Sequence, residues 1–328
     1  MNDRTEDFPK ATDPAAWTPG DLARSEDWSH ALTGREAAEL LAAASDSTAA
    51  EGMPGPPRFS ILAPELERTA RELKSGLGFR VLRGFPVKEL GKERTGQAFL
   101  ALSRGLGVPM EQPGGVELAH VRADSKGRKG FGFRAAGELP FHGDLEDVIG
   151  FLCIRPASGG GTRIFASAAT VYNIMREECP AQLRVLTQPF HMALQQPHPD
   201  HGQSWTRLPF LDVRDHVFNA CAYPVHMKRA QGLPGVPELT PAQTEALAAF
   251  NTVAARVSVS MELKPGDVEY FNNHVVLHTR TQFAEDGGPG RHLLRVWLSM
   301  AGFRLLHEEH PISLRARTAN PGRRPREG

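Results

Sequence analysis

Short β-prone runs dominate the sequence from about Glu138 onward, and no other feature constrains the fold as strongly. The runs are rich in branched and aromatic residues, and they are VIGFLCIR at 148 to 155, DHVFNACAY at 215 to 223, SVSMEL at 258 to 263, DVEYFN at 267 to 272 and HLLRVWLSM at 292 to 300. Many short strands separated by turn residues predict a β-barrel or a β-sandwich. Pro265 and Gly266 stand between two of these strands at the positions that a type II turn favours, so we expect those two strands to form a hairpin.

Helix signals accompany the strands. Thr33 with Glu36, and Thr240 with Gln243, have the spacing of a capping box, which predicts a helix after each threonine. Two further amphipathic stretches end in a glycine where a left-handed cap would stand, near 62 to 75 and 91 to 104. FRVLRGF at 79 to 85 is typical of a strand, so the first third of the chain is predicted to mix helix and strand.

The charge balance argues against a general binder of polyanions. The 328 residues include 38 Lys+Arg and 38 Asp+Glu, which gives a formal net charge of zero. We therefore expect a small molecule as the partner, and neither nucleic acid nor a membrane surface. The sequence leaves the oligomeric state, including a homo-oligomer, open.

Cysteine usage and the amino terminus bear on the compartment. The three cysteines, Cys153, Cys179 and Cys221, cannot all pair with one another, and no two have the close spacing of a thiolate metal site. MNDRTEDFPK is charged and carries no apolar core behind it, and no run of about 18 apolar residues occurs. These observations predict a cytoplasmic protein that is neither exported by a standard signal nor membrane-spanning.

The two ends of the chain differ in composition from the middle. Residues 1–19 are rich in Pro, Asp and Thr, and residues 313–328 carry several arginines among Pro and Gly. Such composition favours a flexible amino-terminal tail over 1–19 and a basic flexible tail over 313–328, with a single domain over 20–312 between them.

Chemistry is most plausible where a histidine stands beside a second side chain able to bind metal. His142 and Asp144 are two apart, so on an extended segment both point to the same face and can hold one ion. His274 and His278 share a face in a strand or a helix, but no glutamate completes the HExxH pattern, so a zinc-protease site is excluded. The loop His198-Pro199-Asp200-His201 lacks a rigid element to direct its side chains and is a weak candidate.

Two arginines complete the constellation. Arg291 and Arg295 stand four apart on a predicted strand, so both guanidinium groups face one side and can meet an anionic ligand. A His-x-Asp pair, then a histidine after the Pro265-Gly266 turn, then an arginine 13 residues beyond His278, match the order of a two-histidine, one-carboxylate triad with an oxoacid anchor. That triad binds non-haem Fe(II).

These motifs resemble the taurine dioxygenase and TfdA-like branch of the iron(II)/2-oxoglutarate-dependent oxygenases, relatives of clavaminate synthase and γ-butyrobetaine hydroxylase. The resemblance covers about residues 20 to 305 and is carried, in family order, by ELPFHGD at 138 to 144, RPASGGGTRI at 155 to 164, PGDVEYFNNHVVLHTR at 265 to 280 and RHLLRVWLS at 291 to 299. The fold it implies is strand-rich α+β, a double-stranded β-helix (jelly roll) with helices packed outside.

The resemblance also implies roles for individual residues. It places Fe(II) on His142, Asp144 and His278, and the distal carboxylate of 2-oxoglutarate on Arg291 with help from Thr162. Arg295 would flank the cosubstrate or the substrate. The open metal positions would serve 2-oxoglutarate and O2. Halogenating members of the family lack the metal carboxylate, so Asp144 favours hydroxylation or a related desaturation or cyclisation.

Substrate contacts are expected around the metal motifs. Candidates for an apolar wall are Phe131, Phe133 and Phe141; candidates for polar contacts are Arg134, Tyr223, His226 and Asn272 or Asn273. Similar members often carry an Arg-Tyr pair where Ala222-Tyr223 stands here, so a carboxylate-binding role does not transfer to that position. The expected substrate is an amino-acid derivative or another small natural-product intermediate.

Two other functions fit the same motifs. A non-catalytic jelly-roll sensor would bind 2-oxoglutarate without consuming O2. A zinc-loaded hydrolase would use the same scaffold, because Zn²⁺ usually outcompetes Fe²⁺ for such ligands. Arg291 and Thr162 argue against hydrolysis, since a hydrolytic site does not need an oxoacid anchor.

Overall fold

The computed structural model describes residues 8–46, 59–122, 139–214, 217–281, 283–284 and 290–319. Helices in these ranges are α1 Pro19–Ala23, α2 Gly34–Asp46, α3 Ala63–Ser75, α4 Val87–Arg104, α5 Ala168–Glu178, α6 Pro180–Leu186, α7 Pro224–Ala230, α8 Pro241–Arg256 and α9 Pro311–Ala319. None of these described helices has the length and the apolar character needed to cross a bilayer.

Strands alternate with the helices along the chain. They are β1 Ser29–Ala31, β2 Phe79–Arg83, β3 Val108–Met110, β4 Leu118–Arg122, β5 Val148–Arg155, β6 Gly159–Gly160, β7 Arg163–Ser167, β8 Pro189–Ala193, β9 Trp205–Pro209, β10 Leu211–Arg214, β11 Val217–Ala220, β12 Val259–Met261, β13 Val268–Asn272, β14 Val276–Arg280, β15 Phe283–Ala284 and β16 His292–Ser299. The predicted strand at 148 to 155 is observed with the same bounds.

Two sheets enclose the functional region. The large sheet has the order β1-β2-β13-β5-β16-β3, with β4 also paired to β16, and the small sheet has the order β12-β7-β14. Phe165 of β7 lies across from the large sheet, with its ring centroid 5.0 Å from Phe79 and 5.4 Å from Phe271. The prediction of a strand-rich α+β jelly roll is confirmed.

Both predicted capping boxes are present. The Thr240 side chain accepts from the Gln243 backbone while the Gln243 side chain accepts from the Thr240 backbone, at the start of α8. Thr33 and Glu36 exchange the same two bonds before α2. The local pattern was sufficient here because a cap involves only four consecutive residues.

The predicted hairpin at Pro265-Gly266 is wrong. The turn itself forms, with Gly266 at φ 89° and the Asp267 backbone donating to the Lys264 carbonyl at 2.9 Å. However, β12 before the turn pairs with β7, and β13 after it pairs with β2 and β5. The turn therefore connects the small sheet to the large one. The prediction failed because the turn residues specify a reversal of the chain but not which strand each neighbour pairs with.

The two helix-ending glycines are not left-handed caps. Helices α3 and α4 do end at Gly76 and Gly105, but their φ angles are −108° and −68°. A Cβ at Gly76 would lie 2.9 Å from the Glu72 Cα, and one at Gly105 would lie 2.8 Å from Leu66 Cδ1. Lack of space, rather than positive φ, accounts for glycine at both positions.

The amino-terminal segment is part of the fold from residue 8 onward, contrary to the prediction of a flexible tail over 1–19. Phe8, Ala11, Ala15 and Trp17 are buried in the main core. The Trp17 indole donates to the Leu77 carbonyl at 2.9 Å. Widely spaced apolar residues in a polar segment are a weak pattern, and only the surrounding fold gives them a place to be buried.

The predicted carboxyl-terminal tail also begins too early. Residues 311 to 319 form α9, and Leu314 is buried. Arg315 makes an ion pair with Glu146. The remaining tail residues, 320–328, lie outside the described residues.

Two hydrophobic cores lie on opposite faces of the large sheet. One fills the space between the two sheets and extends to α5, α6 and α8. The other lies between the outer face of the large sheet and helices α2, α3 and α4. The helices thus pack on the outer face of the large sheet. The inner face lines the space that contains the predicted metal residues.

Candidate active site

Three side chains able to bind metal converge between the sheets. His142, Asp144 and His278 each offer one donor atom, and these atoms all lie within 4.8 Å of one another. Among the described residues this is the one such cluster of three or more. A backbone bridge brings the histidines together: the His278 amide donates to the His142 carbonyl at 2.8 Å, and the His142 amide donates to the His278 carbonyl at 3.2 Å.

The surroundings of both imidazoles favour the neutral form that binds a metal. His142 Nδ1 lies 2.8 Å from the Pro140 carbonyl, which can only accept, so Nδ1 carries the proton and Nε2 keeps its lone pair. Burial lowers the pKa of both histidines, and for His278 the neighbouring His142 and Arg163 lower the pKa further. In the described part of the chain, the buried Nδ1 of His278 has no hydrogen-bond partner.

The carboxylate is oriented from the large sheet. Trp297 Nε1 donates to Asp144 Oδ2 at 2.6 Å, and Arg295 Nη1 lies 3.5 Å from the same oxygen. The Asp144 backbone donates to the Asn273 side-chain oxygen at 3.0 Å. Two neutral imidazoles and one oriented carboxylate, with no thiolate, form the donor set that suits Fe(II). The residues present therefore fit the metal.

A cavity lined by cations adjoins the triad. It holds about 390 Å³ including its open mouth, and four arginines line it, Arg163, Arg280, Arg291 and Arg295. Burial, followed by the charges of Arg163 and Arg280, lowers the pKa of Arg291 to about 9. Buried cations this close together repel one another, so an anionic ligand in the cavity would be stabilised.

Arg163 and Glu269 are functional candidates that the sequence analysis missed. Arg163 is 4% exposed and Glu269 is fully buried, and Arg163 Nε lies 2.5 Å from Glu269 Oε1. The Arg163 guanidinium also lies over the Phe151 ring, 4.3 Å from its centroid. Part of this could have been found from the sequence. Residues two apart on a strand face the same side, so Arg163 shares the inward face of the strand with Phe165, and a charged residue at such a position suggests a function.

The predicted cosubstrate residues have different placements. Arg291 and Arg295 both line the cavity. Thr162 is not among the lining residues, although its neighbour Arg163 is. The Thr162 backbone donates to the Thr281 hydroxyl at 3.1 Å, which ties the start of β7 to the end of β14.

The predicted substrate residues fall into three groups. Phe131, Phe133 and Arg134 lie outside the described residues. Phe141 is buried in the main core, and Asn273 holds the segment that carries Asp144.

Two further predicted substrate residues, Tyr223 and His226, are bonded inside the protein. The Tyr223 hydroxyl lies 2.9 Å from His310 Nε2, and His226 Nδ1 lies 2.9 Å from the Ala193 carbonyl. Burial lowers the pKa of His226. The hydroxyl and the imidazole therefore already have partners in this structure.

The loop at 198–201 uses its polar side chains for internal contacts. His198 Nε2 lies 2.9 Å from Glu309 Oε2, and the His198 and His201 rings stack with centroids 3.7 Å apart. Asp200 makes an ion pair with Arg317 of α9. These contacts tie the loop to the carboxyl-terminal helix.

Comparison with known proteins assigns the family. The family model of the taurine catabolism dioxygenase TauD, TfdA family matches residues 43–297. Two curated proteins are similar over most of their length. FR-33289 synthase of Streptomyces rubellomurinus (strain ATCC 31215) is 27% identical over 92% of this chain and 93% of its own. The taurine hydroxylase-like protein SAT17 of Stachybotrys chartarum (strain CBS 109288 / IBT 7711) is 26% identical over 88% of this chain and 79% of its own.

Solved structures share the fold. A structure of asparagine oxygenase with Fe(II), 2S,3S-3-hydroxyasparagine and succinate has a TM-score of 0.65 at 18% identity, covering 83% of this chain and 93% of that one. The non-haem iron oxygenase OrfP with Fe and alpha-ketoglutaric acid has a TM-score of 0.59 at 19% identity, covering 83% and 94%. Together with the match to the family model over most of the chain, these findings show that the chain belongs to the TauD/TfdA family of Fe(II)- and 2-oxoglutarate-dependent dioxygenases.

Proposed function

We propose that this chain hydroxylates an unactivated C–H bond of a small molecule, with Fe(II) held by His142, Asp144 and His278. The observation that carries the proposal is the convergence of these three donors beside a cavity lined by arginines. When bound, Fe(II) supplies activation of O2 coupled to oxidative loss of CO2 from 2-oxoglutarate. The balanced reaction converts substrate C–H, 2-oxoglutarate and O2 into substrate C–OH, succinate and CO2.

The side chains of the protein bind 2-oxoglutarate and orient the metal ligand Asp144. Arg291 offers a buried guanidinium to the distal carboxylate of 2-oxoglutarate, which two parallel N–H···O bonds can hold. Thr162 does not line the cavity, but it is next to Arg163, which does, and we propose that its hydroxyl assists Arg291 in holding that carboxylate. Trp297 and Arg295 fix the direction of the Asp144 carboxylate. Such preorganisation matters because small displacements of a reacting centre cost large factors in rate.

Apolar side chains limit the access of water to the site. Val121, Leu139 and Phe151 line the same cavity as the triad. A dry wall protects a strong oxidant from side reactions and strengthens the electrostatic contacts inside the site. The proposed substrate residues are Phe131, Phe133, Phe141, Arg134, Tyr223, His226 and Asn273. The four of them within the described residues do not line this cavity, so any contact that they make with the substrate lies beyond it.

We propose an amino-acid derivative or a related natural-product intermediate as the substrate. Support comes from the relatives: the asparagine oxygenase structure contains 3-hydroxyasparagine, and an OrfP structure contains (3S)-hydroxy-L-Arg. We propose the cytoplasm as the location, because all three cysteines are unpaired. Nucleic acid is not a proposed partner, and association of identical chains is compatible with the proposal.

The test is formation of succinate from 2-oxoglutarate by anaerobically purified protein after addition of Fe(II) and O2. We expect wild-type protein to produce succinate and each of His142→Ala, Asp144→Ala and His278→Ala to lose at least about a hundredfold in rate, because each removes one metal ligand. His201→Ala is the matched control, since its imidazole lies in the loop at 198–201 and is exposed.

Two results would contradict the proposal. Full activity in all three ligand variants would exclude the triad as the metal site. Iron-loaded wild-type protein that shows no visible charge-transfer band with 2-oxoglutarate, and whose native metal is zinc, would favour the hydrolase instead.

A further inference from the structure

We propose that Arg315 of α9 is a positioning residue for the metal carboxylate Asp144, acting through Glu146. The inference rests on the proposed metal site. Arg315 holds Glu146 with two parallel bonds, Nη1 to Oε1 at 2.6 Å and Nη2 to Oε2 at 2.7 Å. Glu146 is 1% exposed and lies two residues from Asp144.

The segment from Asp144 to Asp147 lacks the backbone ladder of a sheet. It precedes β5, which begins at Val148, and it is neither helix nor strand. One backbone bond, from the Asn273 amide to the Asp147 carbonyl at 3.0 Å, and the buried Leu145 side chain hold part of it. The remaining contacts that set its path come from polar side chains. Asn273 is the first of these, because its side chain accepts from the Asp144 amide at 3.0 Å and donates to the Glu146 carbonyl at 2.8 Å.

A second set of contacts holds the end of the segment. Asp147 Oδ1 lies 3.1 Å from His274 Nε2, and Asp147 Oδ2 accepts from the Met300 amide at 2.9 Å. Residues 144 and 147 are thus held by the β13–β14 turn and by the end of β16. The Glu146 side chain is held by neither of these elements but by α9.

The pairing matters because Glu146 is a buried charge. A carboxylate without its partner in such a place would move toward water, and that movement would turn the backbone on which Asp144 stands. The bidentate contact with Arg315 prevents this movement and fixes both oxygens. Asp144 then keeps the direction in which Trp297 and Arg295 meet it.

Helix α9 is docked independently of this ion pair. Leu314 is 4% exposed, and His310, just before the helix, bonds the Tyr223 hydroxyl. These contacts hold the helix in place without the Arg315–Glu146 ion pair, so the position of Arg315 is fixed by the rest of the helix. The match to the family model ends at residue 297, so Arg315 lies outside the matched region while its partner Glu146 lies within it.

The experiment compares Arg315→Ala, Arg315→Lys and the control Arg317→Ala in the full-length protein. Arg317 lies on the same helix, but its partner Asp200 is 58% exposed. Metal affinity is titrated anaerobically with Fe(II) and, separately, with Co(II). Hydrogen exchange of the amides at 144 to 148 is measured in metal-free protein, and melting temperature is recorded for each variant.

We expect Arg315→Ala to bind both metals about tenfold more weakly, as is typical when a residue that orients a metal ligand is removed. The amides at 144 to 148 should exchange faster in this variant. Arg315→Lys keeps the cation and should recover part of the metal affinity. Arg317→Ala should stay within about twofold of wild type in affinity and leave the exchange rates unchanged.

Each contrary result has a distinct meaning. If Arg315→Ala melts at a lower temperature but binds Fe(II) as wild type does, Arg315 only anchors the helix and the proposal is overturned. If Arg315→Ala does not fold, Arg315→Lys decides: faster exchange of the amides at 144 to 148 together with wild-type affinity for both metals would overturn the proposal, because a looser segment would then leave Asp144 in place. Wild-type protein that binds no Fe(II) would instead overturn the proposed function.

Discussion

The two faces of the large sheet are equally buried but carry different chemistry. The outer face, against helices α2, α3 and α4, is formed by residues such as Leu152, Val268, Tyr270, Leu294 and Val296. The inner face is formed by their neighbours along the same strands, including Phe151, Glu269, Phe271, Arg295 and Trp297. Consecutive residues of a strand face opposite sides of the sheet, so an aliphatic side chain in the outer core is followed directly by a side chain that faces the site.

This difference shows how one sheet can serve stability and catalysis at the same time. Burial of aliphatic side chains on the outer face stabilises the fold at no electrostatic cost. The inner face holds charged groups out of water, which is unfavourable unless they are paired or serve a ligand. The helices on the outer face supply aliphatic contacts at positions where the inner face carries charged side chains.

A buried arginine–carboxylate pair chosen from each face makes the comparison testable. Arg80 of β2 pairs with Glu65 of α3 at 2.8 Å on the outer face. Arg163 pairs with Glu269 on the inner side. Both pairs are buried, but only Arg163 lines the cavity beside the metal residues.

The largest expected effects come from Arg80→Met and Arg163→Met. Arg163→Met leaves the buried Glu269 carboxylate without its arginine, and Arg80→Met leaves Glu65 with only the Thr69 hydroxyl and His30, 3.6 Å away. Each substitution should lower the free energy of unfolding by about 4 kcal/mol. Only Arg163→Met should also raise the KM for 2-oxoglutarate, by about tenfold, because it removes a cation from the cavity. Denaturant unfolding and succinate kinetics measure the two effects. An equal change of KM in both variants would contradict the division between the faces.

Leu294→Ala tests the outer face without charge. The side chain is 2% exposed in the outer core, so its truncation should lower the free energy of unfolding by about 3 kcal/mol through lost burial and a residual cavity. Equilibrium denaturation measures this loss. The KM for 2-oxoglutarate should match that of wild type, and a severalfold increase would show that the outer face also shapes the site.

Arg291→Met tests the anchor for the cosubstrate. Loss of a buried charged bond of about 2 to 3 kcal/mol should raise the KM for 2-oxoglutarate by about a hundredfold. Steady-state succinate formation at varied 2-oxoglutarate measures it. Arg207→Met on β9 is the control, since Arg207 is exposed outside the cavity. An unchanged KM in Arg291→Met would place the distal carboxylate elsewhere.

A smaller effect concerns pH and the rim where β4 meets β16. His292 and His120 lie with ring nitrogens 2.9 Å apart, and burial, with Arg122, His120, Arg155 and Lys92 nearby, lowers the pKa of His292 to about 4. Between pH 6.5 and pH 4 the His292 imidazole is protonated in the unfolded state but stays neutral in the folded state. The free energy of unfolding should therefore fall as the pH falls from 6.5 toward 4.

The expected size of that loss is about 1 kcal/mol between pH 7 and pH 5, since part of the shift is screened by solvent. Unfolding curves at the two pH values measure it in wild type and in His292→Gln. The variant should lose less stability than wild type on acidification. An identical loss in both proteins would mean that other groups cause the pH dependence.

Much of the family and the fold followed from local patterns. The capping boxes, the strand at 148 to 155 and the order of the His-x-Asp, His and Arg motifs each involve a few neighbouring residues, whose spacing is visible in the sequence. The family match confirms the prediction of a dioxygenase. The predictions of a hairpin at Pro265-Gly266 and of flexible ends were wrong. Strand pairing and the burial of the end segments depend on parts of the chain that are far away in the sequence.

The sequence by itself determined which donors, cations and strand-forming runs the protein has, since residue type and side-chain period are local properties. Only the tertiary structure decided which of them meet. Arg163 meets Glu269 across 106 residues, and Arg315 meets Glu146 across 169. Such contacts depend on how the two sheets face each other and where the last helix docks, and no local spacing encodes that.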